Sequence, residues 1–395
     1  MQIEYIGLKN FRAFKDVEMR DIPKFCVIVG ANGTGKSTIF QVFDFLKDAL
    51  TDNLQVAFTK LGGSMGFKEV RTRGATGSIQ IKIKFRQAEK TPLCTYQLEI
   101  NEEDGQLIVE REILSYRRAQ RGKPWYFLDF SKGKGFAVQN ELAEVNNDTQ
   151  LEREYHTLKA KNILAIKGLS QFEKFPAVMA LGELIENWHI SDFHITSARP
   201  EQLYGFAEHL SKEGDNLSLV TEYLHKHHLA IFETILAKLS ERVPGVVSVE
   251  TKTTEEGRVL LKFRDGAFVD PFLARYVSDG TIKMLAYLIL LYDPVPYPLL
   301  CVEEPENQLY PKLLTELAEE FRLYSRRGGQ VFVSTHSPEF LNATQLNEVF
   351  WLVKSDGYTQ IKRARDDQQI LNYMEDGDQL GYLWQQGFFD GLDPQ

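Results

Sequence analysis

The residues best suited to chemistry are residues 30–37, which read Gly-Ala-Asn-Gly-Thr-Gly-Lys-Ser. This order matches the pattern G-x4-G-K-[ST], in which backbone N–H groups surround the oxygens of a phosphate chain. Gly33 and Gly35 let the backbone approach the phosphates, because glycine has no side chain to block it. Lys36 is expected to reach the β- and γ-phosphates of ATP, and the Ser37 hydroxyl to join a Mg²⁺ shell. A glycine-rich turn that merely starts a helix is the alternative, but the strand and helix patterns on either side favour the phosphate loop. The predicted nucleotide contacts in this segment are Gly30, Ala31, Asn32, Gly33, Thr34, Gly35, Lys36, Ser37 and Thr38.

Two carboxylates follow a second buried apolar run. Residues 299–306 read Leu-Leu-Cys-Val-Glu-Glu-Pro-Glu, so Glu303 and Glu304 lie where a strand should end. Ligands of open α/β sheets bind at the carboxyl ends of the strands. Glu303 is therefore expected to orient a Mg²⁺-bound water as a metal ligand beside Ser37, and Glu304 to act as general base toward an attacking water. A solvated acidic turn is the alternative, and the phosphate loop in the same chain favours the catalytic interpretation.

A histidine ends the next apolar run. His336 follows the segment Gln-Val-Phe-Val-Ser-Thr, whose composition predicts a strand. Its side chain is expected to enter the same crevice as Glu304, where it can contact the γ-phosphate and sense its loss. Lys36, Glu304 and His336 are therefore the predicted catalytic residues.

Periodicity places these motifs in an α/β fold. Both ends of the chain alternate between predicted strands (25–29, 298–302, 330–334) and predicted helices (36–50, 279–292, 312–324). Such alternation predicts a mostly parallel sheet covered by helices.

The middle of the chain has a different pattern of apolar and polar residues. Residues 77–130 alternate apolar and polar side chains, which predicts an antiparallel meander, whereas residues 142–188 and 216–240 show helical spacing. Residues 193–196 are a further candidate strand of the core sheet. The predicted division of the chain is 1–140 for the first part of the core with an antiparallel β lobe, 141–240 for a helical insertion, and 241–395 for the second part of the core.

Composition excludes some classes of protein. The 395 residues are 43% apolar and 26% charged, as in ordinary globular proteins. The net charge of -9 means that any contact with nucleic acid must be local. Three cysteines far apart cannot build a disulfide framework, which predicts a reducing, cytoplasmic setting. The longest strongly apolar run, residues 284–292, is far shorter than the roughly 20 residues of a spanning helix, so no membrane partner is expected.

Together, these motifs resemble the ABC-type ATPase heads of the RecF, SMC and OLD group, AAA-family ATPases found in DNA repair and anti-phage defence. Residues 5–14 (Tyr-Ile-Gly-Leu-Lys-Asn-Phe-Arg-Ala-Phe) are similar to the N-terminal strand of that group, whose arginine, here Arg12, approaches the nucleotide. Residues 278–281 (Ser-Asp-Gly-Thr) resemble its shortened signature motif. Residues 303–311 resemble its Walker B and D-loop segment, with Tyr310 where histidine is usual and Glu303 where the wider class has aspartate. His336 falls on the switch histidine.

The resemblance implies how such a head works. Ser278 and Gly280 of one subunit cover the γ-phosphate held by Lys36 of another, so ATP lies between two copies of the chain. ATP is expected to close this homodimer and hydrolysis to reopen it, and assembly beyond the dimer is left open. Ser278 also suits the N-cap of the following helix, and both roles are compatible because a helix N-terminus attracts anions.

Members of this group differ in what accompanies the head. Ser37 and Ser278 are 241 positions apart without a long coiled coil between them, which excludes a ring-forming condensin. Only 45 residues follow Phe350, too few for the Toprim nuclease domain of OLD proteins. The prediction is a stand-alone ATPase that acts on DNA or controls a separate effector protein, such as a nuclease, in anti-phage defence. RecF-like repair is the first alternative. A transporter-type ATPase is less favoured, because the signature and Walker B segments differ from those of transporters. A scaffold that binds ATP without turnover is a further, less favoured alternative.

Local positive charge is concentrated in residues 111–134, which hold seven basic and two acidic residues with aromatic residues among them. Such a segment can bind a nucleic-acid backbone and stack on bases. A solvated hairpin with a buried aromatic face is an equally weighted alternative. The predicted nucleic-acid contacts are Arg117, Arg118, Arg121 and Lys123.

The end of the chain combines acidic and apolar residues. Residues 366–395 contain seven acidic residues and neither lysine nor arginine, yet they include Trp384 and Phe389. These apolar side chains are expected to pack on the chain's own head, and docking of an effector is the alternative.

Overall fold

The computed structural model describes residues 1–118, 122–141, 147–199 and 201–389. Within these ranges the strands are β1 (Gln2–Phe11), β2 (Phe14–Arg20), β3 (Phe25–Gly30), β4 (Ile79–Arg86), β5 (Cys94–Glu103), β6 (Gln106–Tyr116), β7 (Trp125–Ser131), β8 (Lys134–Val138), β9 (Arg153–Thr157), β10 (His189–Ser191), β11 (Gln202–Leu203), β12 (Val246–Thr253), β13 (Arg258–Asp265), β14 (Phe272–Leu273), β15 (Leu299–Glu303), β16 (Gln330–Thr335), β17 (Val349–Ser355) and β18 (Tyr358–Arg363).

The helices connect and cover these strands. They are α1 (Lys36–Thr51), α2 (Leu54–Gly62), α3 (Phe67–Val70), α4 (Ala165–Leu169), α5 (Pro176–Asn187), α6 (Ile195–Ala198), α7 (Leu217–His227), α8 (Leu229–Arg242), α9 (Asp279–Leu291), α10 (Pro311–Arg326), α11 (Pro338–Asn342), α12 (Gln368–Glu375) and α13 (Leu380–Gln385). None of the helices in the described ranges combines the length and the apolar character needed to cross a bilayer.

A six-stranded sheet of order β10-β15-β16-β3-β17-β18 forms the α/β core. Its neighbouring strands run parallel except at the β17–β18 pair. Strand β3 is buried along its whole length because alternate side chains enter two different cores. Cys26 and Ile28 pack with α1 on one face, and Val27 and Val29 pack with α9 and α10 on the other. The α/β class predicted from the sequence is confirmed.

An eight-stranded antiparallel sheet of order β2-β1-β4-β5-β6-β7-β8-β9 forms the β lobe. The meander predicted for residues 77–130 is confirmed, and β1, β2, β8 and β9 extend it. Strand β4 alternates buried and partly exposed residues, so Ile81 and Ile83 join the core while Lys82 and Lys84 face outward. A third sheet of order β11-β13-β12, with β14 beside β13, lies next to α7 and α8.

The region 141–240 is less helical than its spacing predicts. Leu151, Tyr155 and Leu158 have helical spacing, but Arg153–Thr157 forms the edge strand β9, paired with β8. Tyr155 is exposed there, so the spacing does not mark a buried helix face. The core strand lies at His189–Ser191 rather than at residues 193–196, which lead into α6. The region thus supplies a strand to each of the three sheets, and the division at 141–240 stays a prediction.

A buried carboxylate fastens the lobe to the helices beneath it. Glu112 of β6 accepts hydrogen bonds from the N–H groups of Ala165 and Ile166, at the start of α4, and from the Tyr96 hydroxyl at 3.1 Å. Burial raises the pKa of Glu112 to about 7, against these hydrogen bonds, which lower it. Such an acid is a structural cap, since it is enclosed and far from solvent.

Residues 366–389 of the C-terminal segment pack on the head, which confirms the first of the two expectations for this part; residues 390–395 lie outside the described residues. Leu383, Trp384 and Phe389 are buried, and the Phe389 ring contacts Trp351 of β17. The Trp384 indole Nε1 donates to the carbonyl of His336 at 3.3 Å.

Candidate active site at the carboxyl edge of the core sheet

The phosphate loop lies between the end of β3 and the start of α1. Gly33 and Gly35 have φ values of 77° and 99°, in the left-handed region that glycine adopts without strain. A Cβ at Gly30 would lie 2.5 Å from the Thr34 hydroxyl, so the turn has no room for a side chain there. Because these glycines permit the turn, the N–H groups at the start of α1 can be presented to an anion.

A hydrogen bond from β18 and hydrogen bonds within the loop hold its shape. The Thr359 hydroxyl of β18 donates to the Thr34 carbonyl at 2.7 Å, and the Thr34 hydroxyl donates to the Ala31 carbonyl at 2.8 Å. Thr38 N donates to the Gly35 carbonyl at 3.0 Å, which begins the helix. The loop is therefore held in shape by the protein itself, as preorganised binding requires.

Lys36 lies across the loop toward the acidic strand end. Its Nζ is 2.8 Å from the Gly30 carbonyl and 3.7 Å from Glu304 Oε1, and the residue is only 5% exposed. Burial lowers the pKa of Lys36, and the charge of Glu304 opposes this shift. A cation enclosed beside N–H groups and helix α1 suits a polyphosphate.

Ser37 and Glu303 meet at the candidate metal position. Burial raises the pKa of Glu303, and a hydrogen bond from the Ser37 hydroxyl opposes this shift. Within the described ranges, no three acidic, histidine or cysteine side chains form a metal site of their own. A Mg²⁺ ion would therefore rely on these two oxygen donors together with phosphate and water, a donor set that Mg²⁺ commonly takes.

Glu304 begins the turn after β15 with φ at 39°, a left-handed value that is uncommon for a residue with a side chain. Its N–H donates to the Ser334 carbonyl at 3.0 Å, so the strained residue is tied to the next strand. The Asn307 Nδ2 approaches Glu304 Oε2 at 3.3 Å. The Glu304 side chain remains 32% exposed, which leaves room for a water to reach it.

His336 faces the same carboxylates. Its Nδ1 lies 3.5 Å from Glu304 Oε1 and 3.2 Å from Glu306 Oε1. Glu306 Oε1 also accepts from the backbone N–H of His336 and from the Thr335 hydroxyl, both at 2.8 Å. The structure thus brings Lys36, Glu304 and His336 together, as their positions at strand ends predict.

Arg12 makes its hydrogen bonds outside the phosphate loop. Its guanidinium donates to the Leu61 carbonyl at the end of α2, and burial lowers its pKa. The next two residues reach the loop, since a Cβ at Gly35 would lie 3.5 Å from the Phe14 ring and 3.7 Å from the Ala13 side chain. An approach of Arg12 to nucleotide therefore stays a prediction.

The signature residues lie on a different surface. Ser278 caps α9, its hydroxyl accepting from Thr281 N at 3.3 Å, and a Cβ at Gly280 would lie 3.1 Å from the Gln308 carbonyl. Both residues line a cavity of about 660 Å³ bordered by Tyr310, whose side chain is exposed. Among the described residues that line it, none comes from the loop at 30–38.

Sequence reasoning missed Arg199 and Asp192. Arg199 donates to the carbonyls of Val277 at 2.7 Å and Arg275 at 2.9 Å and pairs with Asp279, so it holds the signature turn from a distant segment. Asp192 follows β10, the strand beside β15, and its charge acts on Glu303. Asp192 could have been found as an acid at the end of a short strand, whereas the role of Arg199 depends on tertiary contact alone.

The predicted nucleic-acid residues that the structure describes lie in or beside a larger basic groove. Arg117 and Arg118 line it, Lys123 is exposed beside it, and Arg121 lies outside the described residues. The groove has a volume of about 750 Å³, and the lobe strands and the turn after β4 add four cations that the sequence analysis did not single out. These additional residues are Lys82, Lys84, Arg86 and Lys90.

The fold and the site together define an ABC-type ATPase head of the SMC and RecF kind, with a phosphate loop, two carboxylates and a histidine at one sheet edge. Residues 25–342 match the family model described as "AAA domain, putative AbiEii toxin, Type IV TA system", and the chain belongs to this family. The fold is similar to that of an SmcHead solved with the C-winged helix domain of ScpA (TM-score 0.55, 15% identity, 92% of this chain and 98% of that one). It is also similar to the Smc head domain with an extended coiled coil from Pyrococcus furiosus, bound to the C-terminal domain of ScpA (TM-score 0.52, 13% identity, 94% and 99% covered).

Proposed function

We propose that this protein hydrolyses Mg²⁺-ATP and works as an ATP-gated homodimeric switch. The observation that carries the proposal is the convergence of Lys36, Glu304 and His336, with Glu304 Oε1 within 3.7 Å of the Lys36 Nζ and 3.5 Å of the His336 Nδ1. A base, a cation and a γ-phosphate sensor within this distance are the parts that phosphoryl transfer to water needs.

The residues divide the reaction between them. Glu304 orients a water and takes its proton while the water oxygen attacks the γ-phosphorus, and the bond from that phosphorus to the ADP oxygen breaks. The released phosphate then takes the proton from Glu304. Lys36 and the N–H groups of the loop stabilise the charge on the transferred group. Ser37 and Glu303 would hold a Mg²⁺ ion, which would neutralise further phosphate charge.

The separation of the signature surface from the phosphate loop supports a shared site. Ser278 and Gly280 border their own cavity, away from Lys36, so they are available to a nucleotide held by another copy. Tyr310 borders this cavity and Tyr276 is two residues before Ser278, and both side chains are exposed. Contact with a second copy would bury their apolar area. A homodimer would contain two such sites related by twofold symmetry.

The Glu304→Gln variant tests this proposal. Removal of the general base is expected to lower the turnover number by 10²–10³-fold while ATP still binds. Light scattering should then show twice the monomer mass with Mg²⁺-ATP and the monomer mass without it. Glu102→Gln, at an exposed carboxylate of β5, is the matched control and should hydrolyse ATP at the wild-type rate. Full turnover in Glu304→Gln would contradict the assigned base, and a mass unaffected by ATP would contradict the gated dimer.

The biological role that we propose is control of a separate effector protein, or direct action on DNA, in anti-phage defence in the cytoplasm. The family description, which names a toxin of a type IV toxin–antitoxin system, supports a defence role. The basic groove of the β lobe supports direct binding of nucleic acid, since six cations line it. The same groove keeps RecF-like DNA repair as the second candidate function.

A further inference from the structure

Helix α9 is connected to the catalytic turn of its own subunit by a buried lysine. Lys283 lies one helical turn after the signature residues and is only 2% exposed. Its Nζ donates to the Asn307 carbonyl at 2.8 Å. Burial lowers the pKa of Lys283 to about 8, and the nearby carboxylates, Glu306 first, oppose this shift. Burying a cation costs free energy unless nearby charges and hydrogen bonds compensate it. The buried position of Lys283 therefore depends on its hydrogen bond to Asn307 and on the nearby carboxylates.

The residue that Lys283 holds is itself attached to the general base. Asn307 uses its carbonyl to accept from Lys283 and its side-chain Nδ2 to approach Glu304 Oε2 at 3.3 Å. Asn307 N also donates to the Glu304 carbonyl at 3.2 Å. A shift of the Asn307 backbone would therefore also move its N–H and its side-chain Nδ2, the two groups that contact Glu304.

The neighbouring carboxylate links the same turn to the switch histidine. Glu306 Oε1 accepts from the Thr335 hydroxyl and from His336 N, whereas Glu306 Oε2 is buried and has no hydrogen-bond partner among the described residues. The charges of Lys283 and Lys36 both act on this carboxylate. Glu306 thus lies between Lys283, whose charge acts on it, and His336, whose backbone N–H donates to its Oε1.

We propose that Lys283 is a positioning residue, which transmits the state of the signature helix α9 to the general base Glu304 within the same subunit. The proposal rests on the proposed function, because the signature helix is argued there to contact the partner's nucleotide. Its consequence is that filling one ATP site of the dimer adjusts the hydrolytic geometry of the other.

The test compares Lys283→Met with Lys283→Arg, and with Lys47→Met as the matched control. Lys47 is a partly buried lysine of α1 whose Nζ donates to the Trp188 carbonyl at 2.9 Å, so it makes a similar contact outside the network. We expect Lys283→Met to lower the turnover number for ATP about tenfold or more, with a change in KM below about twofold, because positioning is lost but phosphate binding is not. Lys283→Arg should recover most of the rate, since it can donate to the same carbonyl.

A second readout needs no nucleotide. Amide hydrogen exchange of residues 304–309 should become about tenfold faster in Lys283→Met and stay unchanged in Lys47→Met, because only the former loses the tether. Unchanged exchange there, or an equal drop in rate for both methionine variants, would overturn the proposal. If wild-type protein neither hydrolyses ATP nor dimerises, the proposed function fails, while the exchange result still decides the role of Lys283. Should the methionine variant not fold, Lys283→Ala, which removes the donor and leaves space for water, takes its place with the same expected results.

Discussion

The catalytic edge of the core sheet and the basic groove of the β lobe are both polar, but they balance charge in opposite ways. At the catalytic edge, cations and carboxylates alternate at short range, as with Lys36 and Glu304 at 3.7 Å. In the groove, cations crowd one another. Burial lowers the pKa of Lys84, and repulsion from Lys82 lowers it further. Arg86 pairs with Glu4 at 2.7 Å, and the charge of Glu18 partly opposes the shift in the pKa of Lys84.

This difference indicates what each region requires from a ligand. The cations and carboxylates of the catalytic edge compensate one another, so this region can be rigid before ATP binds. A rigid site can then stabilise the charge that develops on the phosphoryl group during hydrolysis. The groove carries an excess of positive charge that an external polyanion would compensate. A substitution at the catalytic edge should therefore lower ATP turnover, whereas a substitution in the groove should weaken the salt-sensitive binding of nucleic acid.

The largest effect is expected where the catalytic edge depends on a second copy. Lys36→Ala and Ser278→Arg should each reduce hydrolysis to about 1% of wild type or less, because one removes the phosphate cation and the other blocks the signature surface. Mixed in equal amounts, the two inactive variants should recover about a quarter of the wild-type rate. Half of the dimers are then mixed, and each holds one intact site.

The control for this mixture is Lys36→Ala combined with the double variant Lys36→Ala/Ser278→Arg, which contains no intact phosphate loop. It should stay inactive at every ratio. A mixture of the single variants that is no more active than its components would contradict a shared site and leave the catalytic edge complete within one chain.

The groove should show an intermediate effect. Replacing Lys82, Lys84 and Arg117 with alanine should reduce the salt dependence of DNA binding by about three in the slope of log K against log[salt], one for each lost phosphate contact. Fluorescence anisotropy with duplex and single-stranded DNA measures this slope, and ATP turnover without DNA should not change. Alanine at exposed Lys68, Lys159 and Lys252 removes the same charge elsewhere. Equal slopes in both triple variants would assign the binding to net charge rather than to the groove.

The smallest effect concerns Glu112, the carboxylate buried in the lobe. Its counterpart at the catalytic edge is Glu303, whose pKa burial also raises. Because burial raises the pKa of Glu112 to about 7, the folded state binds a proton more tightly than the unfolded state. This contribution to stability is greatest below about pH 4.5 and is lost as pH rises to about 7, by about 3 kcal/mol in total. Glu112→Gln removes it, so the difference in free energy of unfolding between the two proteins should change by about 2–3 kcal/mol from pH 5 to pH 8.

Urea unfolding at several pH values measures this difference, and ATP turnover at pH 7.5 should be the same in both proteins. Glu102→Gln, at an exposed site, should track wild type throughout. A constant difference between wild type and Glu112→Gln across this range would mean that Glu112 is ionised in the folded protein throughout.

The sequence predicted the parts of the site that are local. The phosphate loop, Glu303, Glu304 and His336 each lie at the end of a buried strand, and parallel strands bring their carboxyl ends to one edge. The alternation of β4 also showed that Lys82 and Lys84 would face outward. No pattern in the sequence could show that this face joins Arg117 in one groove, because the pairing of β4, β5 and β6 decides it.

Other features depend on contacts between distant segments. Arg199 reaches the signature turn and Lys283 reaches Asn307, and neither residue stands in a motif that identifies its partner. The spacing of Leu151, Tyr155 and Leu158 predicts a helix where the structure has strand β9, because that spacing is coincidental. Pairing with β8 determines the conformation of that segment, and tertiary context overrides weak local preference.

The position of β3 in the middle of the core sheet has a consequence for how the protein is made. Both edges of β3 are filled by strands from the last third of the chain, β16 and β17, although β3 lies within the first 30 residues. A ribosome must therefore synthesise residue 355 before the strand that carries the phosphate loop has both of its neighbours. Until then one edge of β3 has unpaired backbone N–H and C=O groups. Both flanking strands of the phosphate-loop strand are thus among the last parts of the chain to be made, and a chain truncated before β17 lacks one of them.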